Sequence, residues 1–139
     1  MNFKKKGYKM NEDKLKFRVW DYQTKSYIDE RDMAISNGTL GWINEKWFDI
    51  VDKKDDFVVE QCIGIKDVNG KLAYEGDIVM VCKSNSQDNY SKGIFVWDNG
   101  SFIVKEEDGT IFDLFHLNVF NGQSDRIEIL GNIHEMKNN

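Results

Sequence analysis

The 139 residues contain no proline, only three arginines, two cysteines and two histidines. Average usage would give roughly seven prolines. Lysine, isoleucine and asparagine are abundant instead, at 16, 13 and 13 residues. Their codons are AT-rich and those of proline are GC-rich, so the missing proline reflects an AT-rich genome rather than a structural device. Two cysteines, Cys62 and Cys82, make no disulfide framework. Each sits in an apolar run and reads as a small buried thiol in a reducing compartment. With His116 and His134 they just reach the four ligands a zinc site needs, but no pair stands at ligand spacing, so no metal and no cofactor is expected.

No apolar run approaches the length that crosses a bilayer, and no apolar stretch follows the basic N-terminus as in a signal peptide. The expected location is therefore cytoplasmic, with no membrane partner. The phosphate-cradling patterns GxxxxGK and GxGxxG are missing, as is the nucleophile elbow GxSxG. Charge is short on one side only. Residues 1–9 carry Lys4, Lys5, Lys6 and Lys9 and no acid, so the rest of a chain of net charge −5 stands at −9. A body this acidic is a poor binder of phosphate backbones, and nucleic acid is an unlikely partner.

What is present is β punctuation. Asn-Gly or Asp-Gly occurs at 37–38, 69–70, 99–100, 108–109 and 121–122. These dipeptides tolerate positive φ and are strong hairpin signals. Leu15, Phe17 and Val19 alternate with Lys16 and Arg18 in a strand ending at Trp20, with a short partner strand at 26–28. Residues 57–65 place Phe57, Val59, Gln61, Ile63 and Ile65 on one face. The chain returns at 71–74 through Asn69-Gly70 and bends again at Glu75-Gly76-Asp77. Residues 78–82 are apolar on both faces and read as a central strand. Residues 84–92 read as a loop. Residues 94–97 and 102–104 flank Asn99-Gly100 as a hairpin. In 127–133, Ile127, Ile129 and Ile133 alternate, and Gly131 suggests a bulge.

Ile43, Trp47 and Ile50 stand at i, i+4 and i+7 and suggest a short helix over 42–51. Residues 111–117 fit a strand or a helical turn. The expected fold is mainly β, a β-rich α+β arrangement. Its antiparallel hairpins meander into a small SH3-like barrel or curved sheet with one or two short helices. Residues 1–13 read as a basic flexible arm, 14–135 as the domain and 136–139 as a disordered tail.

No catalytic constellation is visible. Glu75 and Asp77, with a third carboxylate such as Asp67, could hold Mg²⁺ for phosphodiester hydrolysis. Acidic side chains at a bend more simply bond the local backbone. Asn69, Gly70, Glu75, Gly76, Asp77, Asn99 and Gly100 therefore read as structural turn residues. Nine phenylalanines, five tyrosines and four tryptophans are many for a small core. Trp20, Trp42, Trp47 and Trp97 are candidate interface or base-stacking aromatics.

Four segments in order resemble the YopX family, found largely in bacteriophages and prophages: KFRVWD (16–21), QCIGIKDVNGKLAYEGDIV (61–79), GIFVWDNGSFIV (93–104) and ILGNIHE (129–135). The second is similar to the family's most distinctive stretch, a Q-x-T-G-L segment leading through D-x-N-G to an E-G-D bend. Cys62 and Ile63 depart from it, standing where an aromatic and a threonine are usual, and His134 often corresponds to tyrosine. The resemblance implies a phage-type, β-rich protein made in the bacterial cytoplasm and implies no activity. The leading expectation is a non-enzymatic module that binds a bacterial or phage protein or forms a homo-oligomer. The alternatives are the Glu75/Asp77 phosphodiesterase or nuclease and a weak nucleic-acid binder.

Overall fold

The computed structural model describes residues 12–44, 48–82, 90–113 and 126–135. Twelve strands among them form three curled antiparallel sheets. The first has β1 (Phe17–Asp21), β2 (Ser26–Tyr27), β6 (Phe57–Lys66) and β7 (Leu72–Tyr74) in the order β2-β1-β6-β7. The second has β3 (Met33–Ser36), β4 (Thr39–Ile43) and β5 (Phe48–Ile50) in chain order. The third runs β11-β10-β9-β8-β12, with β8 (Asp77–Cys82), β9 (Tyr90–Asp98), β10 (Ser101–Glu106), β11 (Ile111–Asp113) and β12 (Arg126–Asn132). Together they form a mostly β half-barrel, the curved-sheet form of the expected fold.

Two apolar clusters hold the sheets. Ile63, Ile65 and Ala73 pack on Val79, Val81, Phe95, Val104 and Ile127. A smaller cluster joins Val19, Met33 and Val51, flanked by Phe17, Ile28, Leu40 and Phe57. The doubly apolar 78–82 run is internal to its sheet, between β9 and β12, where both edges are paired. The Asn99-Gly100 hairpin forms with Phe102 opposite Trp97. The Gly131 irregularity is present as a register shift between Ile129 and Gly131.

Several expectations change. The helix over 42–51 is replaced by the end of β4 and by β5, with Ile43 opposite Phe48. Trp47 lies outside the described residues. The Asn37-Gly38 turn, φ 49° and 78°, starts a hairpin that carries Thr39–Ile43 into cross-strand pairing, and three residues at helical spacing do not outweigh that ladder. The helical content among the described residues is short 3₁₀ turns such as Glu12–Leu15 and Lys54–Asp56. The first takes in the last two residues of the expected arm. It also holds Leu15, which is exposed in the turn rather than on the inner face of β1. Residues 1–11 and 136–139 fall outside the described residues.

β1 runs one residue past Trp20, to Asp21. Residues 90–92 of the expected loop belong to β9, and 111–113 of the ambiguous run form β11; His116 lies outside the described residues. The single apolar face expected for 57–65 is broken. Glu60 and Cys62 are buried as well as Ile63 and Ile65, because Gly64 at φ 90° shifts the register between β6 and β7. Cys62 is buried, but Cys82, near the end of β8, is only half-buried; both are free thiols.

Candidate functional site

Among the described residues, Arg18 is the centre of the densest polar network. Alternation along β1 turns it away from the Val19 cluster and toward Glu60, its partner across β6. Its Nε donates to Glu60 Oε1 at 2.8 Å and its Nη2 to Asp77 Oδ1 at 2.7 Å. The same Nη2 reaches the Glu75 carbonyl at 3.3 Å. The guanidinium lies between two rings, 4.5 Å from the Tyr27 centroid and 4.8 Å from that of Tyr74. Glu60 in turn accepts the Tyr27 hydroxyl at 2.8 Å on Oε1 and meets His134 Nε2 at 2.9 Å with Oε2. Asp77 Oδ2 accepts the Tyr74 N–H at 2.9 Å. The network thus ties β1, β6 and the start of β8 to the segment after β12.

Burial opposes the Arg18 charge, but the Asp77 and Glu60 carboxylates outweigh it and raise its pKa. Burial pushes the Tyr27 phenol far above its ordinary value, and its bond to Glu60 adds to this. Burial also pushes the Asp77 carboxyl upward, against the pull of the Tyr74 N–H and of Arg18. A buried ion pair of this kind is a weak source of net stability, but losing one partner strands the others, at a cost of about 3–5 kcal/mol.

Of the sequence-derived turn residues, Glu75, Gly76 and Asp77 border this network. Gly70, Gly76 and Gly100 have φ of 79°, 83° and 85°, and Asn99 has 49°. Gly76 is constrained twice. A Cβ there would stand 2.6 Å from Glu60 Oε2, so no side chain fits between the bend and the carboxylate. Glu75 Oε1 accepts the Gln61 N–H at 2.9 Å. Asp67 holds three backbone donors: Asn69 and Lys71 N–H on Oδ1 at 2.9 Å each, and Ile129 N–H on Oδ2 at 3.0 Å. Glu75, Asp77 and Asp67 do not converge on one point. No group of three or more His, Cys, Asp or Glu placed to hold a metal ion occurs among the described residues.

The four tryptophans separate. Trp20 is part of the network, its indole stacked on His134. Trp42 is 37% exposed, with its ring edge-to-face on Phe57. Trp97 is 54% exposed against Phe102. Trp47 is outside the described residues.

Sequence reasoning missed the linking role of Glu60, Tyr27 and His134. The available signal was a lone glutamate in the apolar run FVVEQCIGI, opposite an arginine strand of the same period.

A second surface belongs to the three-stranded sheet. Met33, Leu40 and Val51 face the smaller core cluster. Cross-strand pairing places Ala34, Gly41 and Ile50 in one row of the opposite face, and Ile43 and Phe48 in the next. Ile43 and Ile50 are 49% and 59% exposed. The Phe48 ring lies over Gly41, where any Cβ would clash with it.

A family profile described as YopX protein matches residues 16–138. Among solved structures, protein yopX from Bacillus subtilis aligns with a TM-score of 0.56 and 18% identity, covering 86% of this chain and 92% of that one. A crystal structure of a protein from Enterococcus faecalis aligns with a TM-score of 0.50 and 23% identity, covering 86% and 93%. Identities this low establish a shared fold alone. No curated protein matches the chain.

Proposed function

The chain belongs to the YopX family, and from that premise we propose that it is a non-enzymatic protein-binding module whose first partner is another copy of itself. The observation that carries this reading is the outward apolar face of the three-stranded sheet, built from Ala34, Ile43, Phe48 and Ile50. Contiguous apolar surface of this sort costs solubility unless a partner covers it. A closed symmetric assembly covers such a face and a sheet edge together. The carboxylates that a nuclease would need are already engaged by the protein's own donors, which supports reading them as structural. Free thiols agree with a reducing cytoplasm, here that of a bacterial host to a phage or prophage. No helix among the described residues is long and apolar enough to cross a membrane.

Two differently tagged copies expressed together test the proposal. Capture of one should retain the other, and Ile43→Lys with Ile50→Lys should abolish the retention while leaving the fold intact. Retention unaffected by the double change would remove this face from the account.

A further inference from the structure

The start of β1, at Phe17, and the outer edge of β3 are left unpaired by their sheets and border the same cleft. Along β1 the even residues bond toward β6, since the Lys16 carbonyl accepts the Cys62 N–H. The odd residues point the other way, as the Val19 carbonyl shows by accepting the Ile28 N–H. β2 pairs only with Trp20 and Asp21. The N–H and C=O of Phe17 therefore face outward from the sheet, with no partner among the described residues. In β3 the tight Asn37-Gly38 turn fixes the same parity. Ser36 pairs with Thr39 and Ala34 with Gly41, and the Asp32 carbonyl accepts the Ile43 N–H. The N–H and C=O of Met33 and Ile35 consequently point off the free edge of the three-stranded sheet.

Both edges line one cleft of about 970 Å³. Its walls carry Phe17 and Val19 from one face of β1, Arg18 with Tyr27 and Tyr74 from the other, and Met33 and Ile35 from β3. A cavity bordered by both faces of β1 lies along that strand's edge rather than on either surface. The basic side chains lining it are matched by acids of the protein itself. Lys16 meets Asp13 at 3.1 Å, Arg31 meets Asp29 at 2.7 Å, and Arg18 meets Glu60 and Asp77. An acidic occupant therefore finds no unmatched base in the walls, and Glu30, the lining acid outside these pairs, is solvent-exposed.

We propose that this cleft receives an extended, uncharged peptide strand from a protein partner, paired to β1 at Phe17 and to β3 at Met33 and Ile35. Such a strand would link the four-stranded and three-stranded sheets into one continuous ladder. Main-chain bonds supply affinity in this mode, and alternate side chains supply specificity. Here one set of side chains faces Phe17, Met33 and Ile35, and the other faces the Arg18–Tyr27–Tyr74 stack. The proposal rests on the protein-binding reading above and makes it specific.

Amide hydrogen exchange on the full chain tests it, with a short capped peptide of alternating valine and threonine as probe. The expected result is about tenfold or greater slowing of exchange at Phe17, Met33 and Ile35, the behaviour of amides closed into a ladder. The fully N-methylated form of the peptide, whose methyl groups stand along the bonding edge and block close strand pairing, should give none. Ile35→Pro should abolish the slowing, because it removes an outward N–H while sparing the bonds to β4, and Ile35→Thr should retain it. If Ile35→Pro fails to fold, the N-methylated peptide still decides. Equal slowing by both peptides, or none by either, overturns the proposal. Slowing that grows with protein concentration and no peptide makes a second copy the occupant and overturns it too. Loss of co-retention in the Ile43/Ile50 variant alongside an empty cleft would leave the broader reading standing.

Discussion

The imidazole of His134 lies flat on the Trp20 indole, with centroids 4.3 Å and planes 4° apart, while its Nε2 meets Glu60 Oε2 at 2.9 Å. One side chain thus closes the end of the chain onto β1 and β6. His134→Phe keeps the stacking and strands the buried carboxylate oxygen, at about 1–3 kcal/mol. His134→Ala loses the stacking as well, about 0.5–1.5 kcal/mol more. Urea titration of the two variants should give that order. Equal losses would mean the stacking contributes nothing.

Gly76 and Gly100 share a positive φ but not their surroundings. Nothing lies within 4 Å of a Cβ at Gly100, whereas at Gly76 the Glu60 carboxylate does. Gly100→Ala should cost about 1 kcal/mol from backbone strain alone. Gly76→Ala should cost clearly more, since Glu60 must leave Arg18 or His134 to make room. Thermal melting of the pair checks this, and a Gly76 variant no worse than the Gly100 one would contradict it.

Asp67 gives the acid response a definite sign. Burial opposes its ionisation, but the N–H groups of Ile129, Lys71 and Asn69 outweigh it and hold its pKa below the ordinary 3.8. A carboxyl depressed on folding adds stability that is present above its unfolded pKa and is lost as pH falls through its folded one. Asp67→Asn should be less stable at neutral pH and should lose less stability on acidification below about pH 4. A variant with the unchanged acid profile would show that those three bonds are not the cause.

Millimolar Mg²⁺ should leave the melting temperature of the wild type unchanged, because the Asp77, Glu75 and Asp67 oxygens already bind protein donors. Differential scanning calorimetry reads this. A saturable rise that vanishes in Glu75→Gln would instead support metal-dependent phosphodiester chemistry.

The parts of the fold set by local chemistry were readable from the sequence. Asn99-Gly100 and Asn69-Gly70 turn where positive φ is cheap, and the 78–82 run is internal because both its faces are apolar. The β6 faces were misread because a single glycine, Gly64, shifts the register, and alternation then places Glu60 and Cys62 inward. Ile43 and Ile50, seven apart, share a face in a helix and also across the β4–β5 pair, and the Asn37-Gly38 hairpin decided between them. The network was the least legible part. Arg18 and Glu60 are 42 positions apart, and Glu60 and His134 are 74 apart. The local pattern marks Glu60 as a lone acid in an apolar run but does not name its partners; the register between β1 and β6 and the closure after β12 create the pairings.

Self-association through the outward face of the three-stranded sheet is tested most directly by static light scattering across the micromolar range. The protein has a monomer mass of 16.3 kDa. The expected mass is at least twice that, returning to the monomer value in the Ile43→Lys, Ile50→Lys variant. A wild-type protein that stays at the monomer mass throughout would contradict it.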